Sequence, residues 1–237
     1  MLRQSTLRGF TIEGEAERLI TTLFADDTTV WLAEDDNFQD LQDILMKWCR
    51  TSGAKFNVAK TVLIPVGTEL YRRNLIHSRA LNVQGEPLPP EINIANDGTP
   101  VRVLGAYVGN KLDQVEIWTP IIDKITRKLD RWSMSHPTPE GRRLAVGMVV
   151  GGLTQYLTRV QGMSTETENI IRRKVTTFMW DGGTPMINAS LMSRDHREGG
   201  RRVLDIKARN EAINLMKLKS ETWLCGTTVD DEKERVH

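Results

Sequence analysis

The sequence predicts an α+β fold in which β-hairpins with one packing helix come first and a helical bundle follows. Three observations predict it. In "LITTLFADDTTVWLAEDD", from Leu19 to Asp36, two apolar and β-branched runs flank a pair of acids, the pattern of a hairpin. "EINIANDGTPVRVLGAYVG" reads as a second hairpin turning at Asp97-Gly98. From Leu112 onward the apolar residues recur at helical spacing instead of alternating.

In the first hairpin, Leu19, Ile20, Leu23 and Phe24 lead in and Val30, Trp31 and Leu32 lead out. Ala25-Asp26-Asp27 is then the tip, where small and Asp residues tolerate turn geometry. A helix is predicted next. Asp36 or Asn37 caps it, Phe38, Leu41, Leu45 and Trp48 form its apolar stripe, and Gly53 stops it. A loop and a strand through Thr61 to Val66 follow, then an exposed Pro- and Gly-rich loop from Gly85 to Pro90. In the second hairpin Ile92 and Ile94 face one side, Val101, Val103 and Leu104 return, and the strands end near Gly109.

The first helix of the bundle carries Trp118, Ile121, Ile122, Ile125, Leu129 and Trp132 on its core face, and Lys124, Arg127, Lys128 and Arg131 on the other. "HPTPEGRR" breaks it with two prolines and starts a second, apolar helix running to about Val160. Thr165 and Glu168 read as the capping box of a third, which carries Ile171, Val175, Phe178 and Met179 inside and ends before Gly182-Gly183. A last helix runs from about Ile206 to Trp223, after the basic loop "SRDHREGGRR". The predicted organisation is a hairpin domain over 1–110, a helical region over 111–225 and a polar tail over 226–237. No repeat or low-complexity segment interrupts it.

Composition narrows the class. A hydrophobic fraction of 39% and a charged fraction of 27% over 237 residues belong to a globular chain. No apolar run approaches bilayer length, and "MLRQSTLRGF" lacks the apolar core of a signal peptide, so an intracellular protein, nuclear or cytoplasmic and not secreted, is expected. Cys49 and Cys225 stand too far apart for a CxxC site, and His77, His136, His196 and His237 lack ligand spacing, which argues against a zinc centre or a disulfide framework. Charge is unevenly spread. From Val101 to Ser220 there are 20 Lys and Arg against 12 Asp and Glu, and elsewhere 12 against 19. The basic half permits a polyanionic partner.

Adjacent acids usually mark only a solvated turn. Acids at the tip of a hairpin with burial-prone flanks are different, because the sheet holds them rigidly where hard cations such as Mg²⁺ bind oxygen. Phosphoryl transfer with two metal ions needs such carboxylates.

"LFADDTTVWL" resembles the [YF]xDD motif of reverse transcriptases, and most closely that of the non-LTR, LINE-type retrotransposon enzymes. The order of the later segments is similar too. "SGAKFNVAKT" resembles that family's Lys-bearing segment and "VRVLGAYVG" its primer-grip hairpin, while "GRRLAV", "FMWDGG" and "EGGRRVLDIKARNEAINLMKL" resemble its thumb and beyond. The resemblance implies a partial polymerase palm followed by a thumb-like bundle. It makes Asp26 and Asp27 the metal-binding carboxylates, with Phe24 at the aromatic position. Lys60 becomes the lysine that neutralises or protonates the pyrophosphate leaving group, although an exposed loop lysine would look the same. Leu104, Gly105 and Gly109 would shape the primer grip, where plain turn glycines are the alternative. Lys124, Arg127, Lys128 and Arg131 would meet the phosphates of an RNA template and DNA primer, with Arg142-Arg143, Arg172-Arg173-Lys174 and Arg201-Arg202 as further basic clusters. Trp118 and Trp132 are expected in the core.

The chain departs from the family in one respect. The palm strand carrying a further metal-binding Asp, and the fingers with the dNTP-contacting helix, correspond to sequence before Met1. Glu13, Glu15 and Glu17 lie just ahead of the hairpin and do not form a separate strand. The expectation is therefore a fragment or relic of the parent enzyme. It would hold Mg²⁺ weakly, leave Leu23 and Val30 partly uncovered beside an unpaired edge, and dissolve poorly. Two other classes fit the same residues: a non-catalytic nucleic-acid-binding protein using the basic helical half, and a domain completed by a partner chain that supplies the missing palm half.

Overall fold

A computed structural model of the protein describes residues 1–12, 17–82 and 85–224. Glu13, Glu15, Cys225, His237 and the polar tail lie outside the described residues. The fold is mixed helix and sheet, with three separate two-stranded pairings among the described residues. It divides into two compact units. Among the described residues, one comprises Met1–Leu104 and Val108–Leu112, the other Gly105–Tyr107 and 113–224.

In the first unit β1 (Thr21–Phe24) and β2 (Asp27–Val30) pair antiparallel, from Thr21 opposite Val30 to Phe24 opposite Asp27. Only Ala25 and Asp26 remain to reverse the chain, and Ala25 takes a left-handed φ of 52° to do so. The base of this hairpin is buttressed by the preceding segment. Phe10 and Leu19 exchange backbone bonds of 2.9 and 2.8 Å, and the Phe10 and Trp31 rings lie 5.4 Å apart. Asp36 locks the arrangement. Its buried carboxylate accepts from the backbone N–H groups of Arg8 (2.6 Å), Gly9 (3.0 Å) and Ala33 (2.8 Å). Asp36 is thus occupied, and Asn37 caps the following helix by accepting from Gln39 N.

That helix, α1 (Phe38–Ser52), ends at Gly53 in the left-handed region (φ 73°). Leu41 joins Leu7 and Ile20 in one small core, whereas Trp48 at the far end of the stripe is 40% exposed. The predicted strand over Thr61–Val66 is reduced to β3 (Val62–Leu63). It pairs in parallel with β4 (Asn93–Ile94). Between them lies α2 (Glu69–Ser78), which the sequence reading missed. Its signals are short: Thr68 as cap, accepting from Tyr71 N, and Glu69 in the first turn. Leu75 of this helix, with Leu81, Leu88 and Ile94, builds a second small core.

The second hairpin differs from the expectation. Asp97-Gly98 does turn the chain, with Thr99 N donating to Asn96 O, but the strands it joins do not pair with each other. β5 (Val101–Val103) pairs instead with β6 (Ala106–Val108) across the two residues Leu104 and Gly105. Both turn residues have positive φ (49° and 85°), which a tight two-residue reversal demands. β4 is held by β3 and unavailable.

The second unit is helical. α3 (Gln114–Ser133) buries Ile117, Trp118, Ile125 and Leu129. α4 (Pro139–Val146) continues without interruption through a π-turn at Gly147–Gly151 into α5 (Gly152–Gln161), which Gly162 ends. α6 (Thr165–Met179) is capped by Ser164, not Thr165. Ser164 has the extended backbone a cap requires, whereas Thr165 is already helical. Glu168 is free to accept from Asn210 Nδ2 at 3.2 Å. The short α7 (Ala189–Ser193) was not anticipated, and α8 (Ile206–Leu224) closes the described chain. Ile125, Val146, Val150, Ile171 and Ile206 lie at the centre of one core. Trp132 is the exception to the predicted stripe: at 41% exposure, in the last turn of α3, it lies outside that core. No helix among the described residues is long and apolar enough to cross a membrane.

Candidate catalytic hairpin and basic helices

Asp26 and Asp27 lie at the reversal of the β1–β2 hairpin, both exposed. They occupy different positions in it: Asp26 belongs to the turn, and Asp27 opens β2 opposite Phe24. Leu23 and Phe24 are 68% and 65% exposed, so the tip projects from the buttressed base with apolar side chains uncovered. Val30, nearer the base, is half-buried. Among the described residues neither carboxylate takes part in an ion pair, and no group of three His, Cys, Asp or Glu side chains is able to hold a metal. Glu17 is exposed. The pair offers the hard oxygen donors that suit Mg²⁺, yet two carboxylates alone do not organise two ions.

Lys60 ends a 3₁₀ turn (Val58–Lys60) ahead of β3 and is exposed. Among the described residues it makes no ion pair, and no hydrogen bond joins it to either aspartate. Gly105 has a demonstrable structural role. With φ 85°, its position for a Cβ lies 3.1 Å from Cε1 of Tyr156, so a side chain there would strain the turn and press on that ring. Beside it, Tyr107 N donates to Gln161 Oε1 at 2.8 Å. At Gly109 (φ 159°), a Cβ would approach Thr99 O to 2.8 Å.

The basic face of α3 is exposed as expected. Lys124, Arg127, Lys128 and Arg131 fall within an arc of about 100° at helical spacing, and none is engaged in an ion pair among the described residues. Asp123 and Asp130 flank the arc on one side only. Arg172 and Arg173 on α6 are likewise exposed and unpaired. Two of the other clusters resolve differently. Arg142 is buried: it donates to Phe178 O (2.6 Å) and Pro137 O (3.2 Å), bridges to Asp181 (2.7 Å) and lies over the Phe178 ring. Arg143 is held by Glu140, and Arg202 by Asp195, leaving Arg201 exposed. Arg142 became structural because α4 packs it against the end of α6, a proximity that neighbouring residues in sequence do not reveal.

A further charged cluster escaped the sequence reading. Arg72 donates from Nε and Nη2 to both Asp97 oxygens (2.8 and 2.7 Å) and from Nη1 to Gly67 O. Lys111 reaches Glu69 at 2.7 Å, and Arg73 reaches the same carboxylate. The lysine's hydrogen bond to Glu69 and the guanidinium's to Asp97 hold both carboxyls below their ordinary range. These residues line an open cleft of about 550 Å³, with His77 and Asn96 at its wall. Its three cations, Arg72, Arg73 and Lys111, share the two carboxylates of Glu69 and Asp97, which suits a clasp between α2 and the Asp97 turn. Partners 25 to 42 residues apart left no local signal.

Neither protein-family models nor the sequences of curated proteins provide a match to this chain.

Proposed function

We propose that the chain is the hairpin-bearing part of the palm, together with the thumb, of a non-LTR retrotransposon reverse transcriptase, an RNA-directed DNA polymerase. The observation that supports it is the Phe24-Ala25-Asp26-Asp27 stretch sitting at the reversal of an antiparallel hairpin, with neither carboxylate in an ion pair among the described residues. In this reading Asp26 and Asp27 hold Mg²⁺, whose chemistry when bound is to stabilise charge on the phosphates of a dNTP. Lys60 supplies the ammonium for the departing pyrophosphate, and Lys124, Arg127, Lys128 and Arg131 take the backbone phosphates of the primer–template without reading sequence. In this reading two-metal catalysis needs a third carboxylate that does not stand beside Asp26 and Asp27 among the described residues, and the chain alone is expected to bind nucleic acid without extending a primer. In this reading the protein works inside the cell, in the nucleus or the cytoplasm.

Two measurements test this. Neutralising the four α3 cations to Gln should flatten the salt dependence of primer–template binding by about 3 in slope. Supplying the fingers and first palm strand from a related enzyme should yield Mg²⁺-dependent primer extension that Asp26→Asn abolishes. No binding at low salt, or extension indifferent to Asp26→Asn, overturns the reading. The unpaired cations also favour a second reading, a non-catalytic nucleic-acid-binding protein. In that case binding persists in Asp26→Asn and no complementation restores extension.

A further inference from the structure

The stretch from Ile44 to Thr68 contains no acidic residue and four cations, Lys47, Arg50, Lys55 and Lys60. All four are exposed, and none is in an ion pair among the described residues. Within it, the end of α1 carries Trp48 past the covered part of its stripe. Gly53 then reverses the chain, and Phe56 folds back so that the two rings lie 5.3 Å apart at a 40° tilt. Each ring still faces solvent, Trp48 at 40% and Phe56 at 36%, with Met46 and Val58 also exposed. The acids that precede this stretch in sequence, Asp40 and Asp43, lie on earlier turns of α1, and Asp43 accepts from Gln39.

We propose that Trp48 and Phe56 form a stacking site for single-stranded nucleic acid, with Lys47, Arg50 and Lys55 holding the strand's phosphates. An exposed aromatic pair within a cationic stretch of chain that carries no acid matches what such strands present: unstacked bases offering flat faces, spaced along a continuous line of negative charge. A duplex buries its bases and gains nothing from the rings, and an acidic peptide offers no repeated planar group. The charge complementarity therefore selects the single strand. The inference rests on the nucleic-acid reading above for its class of partner, but it uses residues that reading leaves idle.

The test is fluorescence anisotropy of the full chain with labelled oligothymidylate, oligouridylate and a duplex. Trp48→Ala should weaken single-strand binding roughly ten- to a hundred-fold while leaving duplex binding unchanged. Trp48→Phe should restore most of the loss, which a misfolded variant would not permit. Lys47→Gln with Lys55→Gln should make the single-strand salt slope shallower by about 1.4. A loss on either oligonucleotide supports the site, and the ratio names the preferred strand. Undiminished single-strand binding in Trp48→Ala, alongside loss in the α3 variant, overturns this site and leaves the primer–template reading standing. Failure of every oligonucleotide to bind at low salt overturns both. A dimer in sedimentation that Trp48→Ala converts to monomer means that a second copy covers the rings, and overturns the proposal.

Discussion

At the scale of single residues, buried polar side chains that accept several backbone donors matter most. Asp36 is the clearest instance: one carboxylate satisfies three N–H groups from two segments about 25 residues apart in sequence. Asp36→Ala leaves those donors without their acceptor and should cost about 3 kcal/mol in a urea titration, far more than Asp35→Ala, whose pairing with Arg8 is exposed. Arg142 illustrates the converse of sequence reading. A cation in a run of basic residues looks like a phosphate contact, yet its donors are consumed by Phe178, Pro137 and Asp181.

At the scale of elements, caps and turns decide boundaries. The α1 limits were legible because Asn37 and Gly53 carry out local tasks, a side-chain cap and a left-handed stop, that any context would ask of them. The second hairpin was misread because Asp97-Gly98 and Leu104-Gly105 both favour turns, and only strand pairing distinguishes them. Gly105→Ala should therefore destabilise the β5–β6 hairpin, by strain at φ 85° and by pressure on Tyr156. The expected loss is about 1–2 kcal/mol, read as faster amide exchange confined to residues 101–108. Gly98→Ala, which meets no atom within 4 Å but keeps the strained φ of 86°, separates the conformational cost from the contact.

At the scale of the whole molecule, charge distributes the roles. The clasp of Arg72, Asp97, Glu69 and Lys111 depends on carboxylates whose folded pKa values are depressed, foremost by hydrogen bonds from Arg72 and Lys111. A depressed folded value means stability that is present above the unfolded carboxylate range near 4 and lost as the pH falls through the lowered values. Thermal melts should accordingly drop below about pH 4, and Asp97→Asn should blunt that dependence. Salt should weaken the same clasp only modestly, since its charges are in direct contact.

Periodicity, capping chemistry and charge bias are properties of short windows, so the sequence by itself determined the α+β class, the Asp26-Asp27 reversal, the apolar face of α3 and its cationic opposite. Long-range pairing is not written in any window. Only the tertiary structure decided that β4 joins β3 rather than β5, that Asp36 ties down Gly9, that Arg142 is buried, and that Trp48 and Trp132 emerge from their stripes into solvent. Each depends on where a distant segment packs, and burial of a side chain is set by the neighbours that cover it, not by its own apolarity.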